Sequence, residues 1–113
     1  MAIDKSLVSG STGMLLLKML SEKEMYGYEM IETLESKSNH VFELKAGTLY
    51  PLLHSMESQN LLTSSEQETG GKKRKYYKIT KEGRKALGKK QQEWKEYSEA
   101  VMQVLGGVSF GNA

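Results

Sequence analysis

The apolar residues in the first third of the chain predict two short helices. Met14 to Leu20 is the longest apolar run and follows polar residues, so we expect a mostly buried helix that ends near Ser21 to Glu24. A second helix is predicted from about Tyr26 to Ser36, because its apolar and acidic side chains fall on different faces. Residues 37–40 then form a predicted turn.

A third helix is predicted in the middle of the chain. Val41 to Leu44 precede it and are interpreted as a brief strand, and the leucines that follow have helical spacing. Proline is tolerated in the first turn of a helix, where its missing N–H has no partner to lose, so Pro51 fixes where the helix starts. We expect it to begin within residues 46–48, with Thr48 as a candidate N-cap, and to end near Asn60.

The second half of the chain predicts a β-hairpin and a long helix. Residues 61–66 and 73–79 have the pattern of strands, and the turn between them contains two glycines. Thr80 is predicted to cap a helix from Lys81 to about Leu105.

This order of elements predicts a mainly α fold with a small β-hairpin, the winged helix-turn-helix with a C-terminal extension. The third helix would be the recognition helix and the hairpin the wing. We expect a DNA-binding domain over residues 1–80, a dimerisation helix over residues 81–105 and a flexible, glycine-rich tail over residues 106–113.

Charge is distributed unevenly along the chain. Residues 72–90 contain ten Lys or Arg and one acid, a local charge of +9, whereas the rest of the chain carries −7 and the whole chain +2. A concentrated cationic face on a small domain indicates a polyanionic partner, and double-stranded DNA is the one we expect.

Two groups of cations are candidates for phosphate contact. The wing group follows the glycine turn and comprises Lys72, Lys73, Arg74 and Lys75. The alternative for this group is a solvated loop that keeps the protein soluble. The second group opens the long helix, where the helix dipole disfavours cations unless a phosphate is bound: Lys81, Arg84 and Lys85. The alternative for this second group is that Glu82 and solvent screening offset the unfavourable interaction of these cations with the helix dipole.

The start of the recognition helix is the candidate base-reading segment, because helix-turn-helix proteins place these residues in the major groove. Its members are Lys45, Ala46, Gly47, Thr48 and Tyr50. Thr48 could contact a phosphate or a thymine methyl, or only cap the helix. Tyr50 could reach a phosphate, or only pack.

The long helix carries a partial heptad seam. Leu87, Trp94 and Val101 recur every seven residues with Val108, and Gln91, Ser98 and Leu105 lie between them. Pairing with a second copy would bury this seam, so we expect a homodimer; folding back on its own domain is the alternative. Trp94 would anchor the interface, or also form the wall of a site for a planar aromatic ligand, with Gln91, Tyr97 and Ser98 nearby.

Enzymatic and metal chemistry find little support in the sequence. The chain has no cysteine and only two histidines, His40 and His54, and it lacks a phosphate loop, a catalytic pair or a metal-ligand cluster. We therefore expect no cofactor. The sequence shows no signal peptide, and the apolar run that contains Lys18 is too short to span a bilayer, so the expected location is the cytoplasm, without membrane contact.

Three blocks of the sequence resemble the PadR family of bacterial transcriptional regulators: Tyr26–Ile31, Leu44–Leu53 and Gly71–Gly83. The resemblance covers about residues 12–105. It implies a dimeric winged-helix repressor on palindromic promoter DNA, released by a phenolic acid or a multidrug-like compound. The blocks add Tyr26, Pro51 and Tyr77 to the candidate DNA contacts.

The single short C-terminal helix is similar to that of the small PadR subfamily, in which a tryptophan matching Trp94 can line a cavity at the dimer interface. The resemblance also implies that the first helix, around Met14 to Leu17, packs against the partner's long helix. One departure is Ser55, where the family often has arginine, and it puts phosphate contact or operator choice at this position in doubt.

Two other functions remain open at the level of sequence. The chain could be a winged-helix interaction module whose seam binds another protein, and it would then lack salt-dependent DNA binding. It could also be a ligand-sensing dimer without DNA specificity, which would bind promoter and unrelated DNA equally.

Overall fold

The computed structural model describes residue 7 and residues 10–106 of the chain. Within residues 10–106 the elements are α1 (Thr12–Glu22), β1 (Met25–Tyr26), α2 (Gly27–Lys37), α3 (Ala46–Ser58), β2 (Leu62–Thr69), β3 (Lys72–Ile79) and α4 (Lys81–Leu105). The expected fold class, mainly α with a hairpin, is confirmed. Apart from Gly106, the tail that was predicted to be flexible lies outside the described residues.

The segment before α3 differs from the prediction. Val41 to Leu44 were expected to form a strand, but they have no strand pairing. Instead the backbone N–H of Phe42 donates to the Ser38 hydroxyl at 3.0 Å, and the N–H of Val41 donates to the Ser38 carbonyl at 3.2 Å. These local bonds replace those of a sheet.

Helix α3 begins at Ala46, within the predicted range, but Pro51 lies deeper in it than the first turn. It is the sixth residue of the helix, in the second turn rather than the first. The helix nevertheless continues to Ser58, and only the carbonyl of Gly47 loses the donor that residue 51 would supply. Thr48 is not the cap: Lys45 occupies the N-cap position, and its carbonyl accepts from the N–H groups of Thr48 and Leu49.

An asparagine in the left-handed region follows the last residue of α2 and of α3, two positions further on in each case. Asn39 has φ 55° and Asn60 has φ 63°. After Asn60, the N–H of Leu61 donates to the Met56 carbonyl at 3.0 Å, which closes a Schellman turn. The turn directs the chain sharply from the recognition helix into the hairpin.

The three strands form one antiparallel sheet in the order β1-β3-β2. β2 and β3 pair from Leu62 opposite Ile79 to Thr69 opposite Lys72. Strand β1, which was not predicted, pairs only at Met25 opposite Tyr77 and Tyr26 opposite Tyr76. A strand of two residues is too short to show an alternating pattern in the sequence. Its pairing partners also lie about fifty residues away along the chain.

The core lies between α1, α2, α3 and the inner face of the sheet. Apolar residues at helical spacing meet there, among them Leu49, Leu53 and Met56 of α3. Tyr77 and Ile79, two residues apart on β3, cover the core from the sheet. Among the described helices, none is long and apolar enough to cross a membrane.

Candidate nucleic-acid interface

A two-residue turn places the wing cations directly beside the tip of the hairpin. Gly70 and Gly71 have φ 60° and 79°, and positive φ at both central positions is what a type I′ turn requires. The turn is tighter than predicted, and both strands run up to it. Lys72 is therefore paired in the sheet opposite Thr69 rather than lying in a loop.

The partner strand offsets part of the wing's charge. Glu66 lies opposite Lys75 and Glu68 lies opposite Lys73 in the register of the hairpin. Counted over residues 62–79, five cations and two acids leave a charge of +3. Counting the charges of β3 alone therefore overstates the positive charge of the wing. The acids of β2 lie directly opposite the lysines, and cross-strand neighbours of opposite sign attract each other.

Arg74 makes a closer cation–π contact than Lys75, whose Nζ lies 5.7 Å from the centre of the Tyr77 ring. The guanidinium carbon of Arg74 lies 4.3 Å from the centre of the Tyr26 ring, a cation–π contact. The Tyr26 ring in turn meets the ring of Tyr76 edge to face, with centroids 5.4 Å apart. Arg74 is half-buried, whereas Lys72, Lys73 and Lys75 are exposed.

The start of the recognition helix presents one exposed face. Lys45, Gly47, Thr48, Tyr50 and Pro51 are exposed, while Ala46 is half-buried and Leu49 is buried. Since Thr48 is not the helix cap, its side chain is available to a partner. The predicted base-reading residues thus lie together on the surface, apart from the partly covered Ala46.

Tyr50 crosses closely over Gly27. A side chain at Gly27 would begin where the hydroxyl and ring of Tyr50 lie, so the tyrosine occupies the space that a Cβ would fill. Tyr50 still keeps 42% of its surface exposed. The glycine therefore allows the recognition helix and α2 to approach while the Tyr50 side chain remains accessible.

Tyr77 was predicted to contact DNA, and its position contradicts this. Its side chain is only 5% exposed and belongs to the core cluster. Burial raises the pKa of the Tyr77 phenol, and nearby Glu57 and Tyr50 add to the effect. The alternation of β3 explains the error, because Arg74 and Tyr76 occupy the outer face and Tyr77 the inner one.

A groove separates the recognition helix from the wing. It has a volume of about 370 Å³ and is lined by Tyr26, Gly27, Tyr28, Glu32, Tyr50, Arg74 and Lys75. Residues from β1, α2, α3 and β3 thus meet at one place. The sequence named four of them as DNA contacts but could not show that they share a groove.

The start of α4 is fixed by Thr80, as predicted. The Thr80 hydroxyl accepts from the Gly83 N–H at 2.9 Å and donates to the Asn60 carbonyl at 2.7 Å. Lys81, Arg84 and Lys85 are exposed in the turns that follow. The guanidinium of Arg84 lies 3.5 Å from the Ser21 carbonyl, so it contacts the end of α1.

The predicted dimer seam divides into buried and exposed residues. Leu17 is fully buried and Leu87 nearly so in the core of the single chain, so neither offers a free surface to a partner. Trp94 is 47% exposed and Leu105 is 74% exposed, and Gln91 is exposed beside them. Met14, Ser98 and Val101 are half-buried. Tyr97, named as a ligand contact, is 68% exposed.

The other ionisable residues do not form a metal centre in the described part of the chain. No group of three or more His, Asp or Glu residues there could hold a metal ion. His54 is exposed on α3, and Nδ1 of His40 lies 3.5 Å from a Glu35 carboxylate oxygen at the surface.

Comparison with known proteins decides the family. The pattern of the transcriptional regulator PadR-like family matches residues 16–89, which include the recognition helix and the wing. The chain belongs to the PadR family. It is therefore related to DNA-binding transcriptional regulators, which are not enzymes.

Solved PadR-like structures have the same fold. A PadR family regulator from Eggerthella lenta is 34% identical, with a TM-score of 0.81 over 91% of this chain and 88% of its own. A transcriptional regulator from Clostridium thermocellum is 30% identical, with a TM-score of 0.81 over 89% of this chain and 98% of its own. A transcriptional regulator of Mycobacterium tuberculosis is 33% identical over 94 residues, 83% of this chain and 82% of that protein.

Proposed function

We propose that this PadR-family protein is a homodimeric repressor that binds palindromic promoter DNA. One observation carries the proposal: the exposed start of the recognition helix and the cationic wing border the same groove. In this arrangement Lys45 to Tyr50 enter the major groove, while the four wing cations and the segment from Lys81 to Lys85 hold the phosphate backbone. Tyr77 takes no part in contact.

The C-terminal helix supports the homodimer. Four side chains expose apolar surface along α4, which a single chain leaves in water: Trp94, Tyr97, Val104 and Leu105. A second copy related by a two-fold axis would cover it with the same residues. Two-fold symmetry would also set recognition helices on half-sites about 10 bp apart or a multiple of that spacing.

The same face supports a ligand-responsive form of the repressor. Gln91 and Ser98 lie one turn on either side of Trp94, with Tyr97 beside them, so two copies would enclose aromatic and polar groups. A planar aromatic compound between the two Trp94 rings would release DNA if it binds a dimer geometry that does not fit the operator. Quenching of Trp94 fluorescence during titration with planar aromatics measures this.

A mobility-shift assay on the protein's own upstream region, against scrambled DNA, tests DNA recognition. We expect selective binding at about 10⁻⁸ M or tighter at moderate salt. Transcription from the same promoter in a reporter strain should fall when the protein is present, which tests repression. Equal retention of both DNAs would favour a sensor without specificity. If neither DNA is retained in a salt-dependent way, the result would favour the interaction module. Its protein partner would then bind the apolar face of α4.

A further inference from the structure

The groove between the recognition helix and the wing has two fixed donors on its walls. Arg74 enters from β3 and Tyr50 from α3. Their parent elements are not neighbours in the sequence, and neither was distinguished from the other DNA-contact candidates by its sequence pattern. Each side chain lies against a second groove residue, Arg74 against the Tyr26 ring and Tyr50 across Gly27.

Tyr26 restrains Arg74. The guanidinium carbon lies 4.3 Å from the Tyr26 ring centre, and Tyr26 is itself fixed by strand pairing and ring contact with Tyr76. A stacked guanidinium keeps its planar set of donors pointing outward while its position is held. Less side-chain entropy is then lost when an anion binds.

Tyr50 lies across Gly27, in the space that a Cβ would otherwise fill. The absence of a Cβ at Gly27 lets the Tyr50 hydroxyl lie against the backbone at the start of α2. Nevertheless Tyr50 remains accessible at the groove, at 42% exposure. A phenol hydroxyl and a guanidinium can both donate to one oxygen-rich anion.

We propose that this groove is a subsite for a single backbone phosphate of DNA, bound by Arg74 and Tyr50, and that Tyr26 is a positioning residue that holds Arg74 there. The inference rests on the proposed function and deepens it. Glu32 is the single acid among the groove-lining residues, and its charge places the phosphate on the side of Arg74 and Tyr50. Lys75, also at the groove, adds a non-directional charge.

A double-mutant cycle on one operator duplex tests the positioning role. Tyr26→Leu should weaken binding about fivefold, the equivalent of ~1 kcal/mol, because the ring no longer holds the guanidinium. In an Arg74→Ala background, the same substitution should have almost no further effect. Tyr26→Phe keeps the ring and removes only the hydroxyl, so it should recover most of the affinity that Tyr26→Leu loses, whereas a Phe variant as weak as the Leu variant would contradict the positioning role of the ring.

Lys73 supplies the matched control. It is an exposed cation next to Arg74, and it lies over no aromatic ring in the described part of the chain. Tyr26→Leu and Lys73→Ala should therefore weaken binding by factors that multiply. If the factors for Tyr26→Leu and Arg74→Ala also multiply, Tyr26 does not act through Arg74 and the inference is overturned, although the proposed function stands. A wild-type protein without salt-dependent DNA binding would overturn both.

A second measurement does not depend on the stability of the Leu variant. In NMR spectra of the wild-type protein, the Arg74 side-chain protons should be shifted upfield by the Tyr26 ring, and the Arg74 Nε–Hε signal should move when duplex DNA is added. An Arg74 signal that is unaffected at saturating duplex would exclude it from the phosphate subsite.

Discussion

Gly83 of α4 packs directly against the backbone of Leu61. The Leu61 carbonyl oxygen lies where a side chain at position 83 would begin, and Cγ1 of Ile79 closes the same space at 2.7 Å from an ideal Cβ. The Leu61 carbonyl also accepts the N–H of Thr80 at 3.0 Å. This contact fixes the start of the long helix relative to the recognition helix and the sheet.

Gly83→Ala should destabilise the protein by about 2 kcal/mol, since the clash with Leu61 outweighs the gain of ~1 kcal/mol in helix propensity. Chemical denaturation measures the difference. Gly88→Ala is the matched control, because a Cβ at Gly88 meets nothing within 4 Å. That variant should be more stable than the wild type, by up to about 1 kcal/mol. Equal stability of the two variants would contradict the packing argument.

Trp94→Ala should weaken self-association. Loss of a central aromatic from a two-fold interface should raise the dimer dissociation constant about 30-fold or more, ~2 kcal/mol. Sedimentation over a range of protein concentrations measures it. Gln103→Ala changes the opposite side of α4, nine residues further on, and should leave association unchanged. Unaltered association of the Trp94 variant would remove this face from the proposed interface.

Neutralising Lys73 and Arg74 together should weaken binding to all DNA and reduce the slope of log K against log salt by about 2 units. The reason is that the variant would neutralise two fewer phosphates, so two fewer counterions would be released from the DNA into solution. Filter binding at several salt concentrations measures the slope. Lys18→Gln with Lys37→Gln removes the same charge from residues that pair with Glu22, and this control should preserve the slope. An unchanged slope for the wing variant would exclude the wing from phosphate contact.

Alkaline pH should destabilise the protein through Tyr77. Burial raises the pKa of this phenol in the folded chain, so above the ordinary tyrosine pKa of about 10 the unfolded chain ionises first. Stability that is present below pH 10 is then lost as the pH rises through the folded-state pKa. Tyr77→Phe should flatten the decline in unfolding free energy between about pH 9 and 11. Tyr97→Phe, at an exposed position, should follow the wild type.

The sequence by itself determined the elements whose causes are local. Apolar spacing marked the helices, Thr80 marked the cap of α4, and the paired glycines at 70 and 71 marked the hairpin. Each depends on neighbours within about four residues, which a linear pattern contains. The resemblance of three sequence blocks also identified the family, whose pattern matches residues 16–89.

Only the tertiary structure decided what depends on distant pairing. Strand β1 exists because Tyr26 meets Tyr76, and that pairing turns Tyr26 into the platform for Arg74. The orientation of β3 relative to the helices places the Tyr77 side chain in the core, although the residues on either side of Tyr77 in the sequence are exposed or face outward. Which of two adjacent residues faces solvent depends on what packs against the sheet, and this is set by contacts across the whole chain.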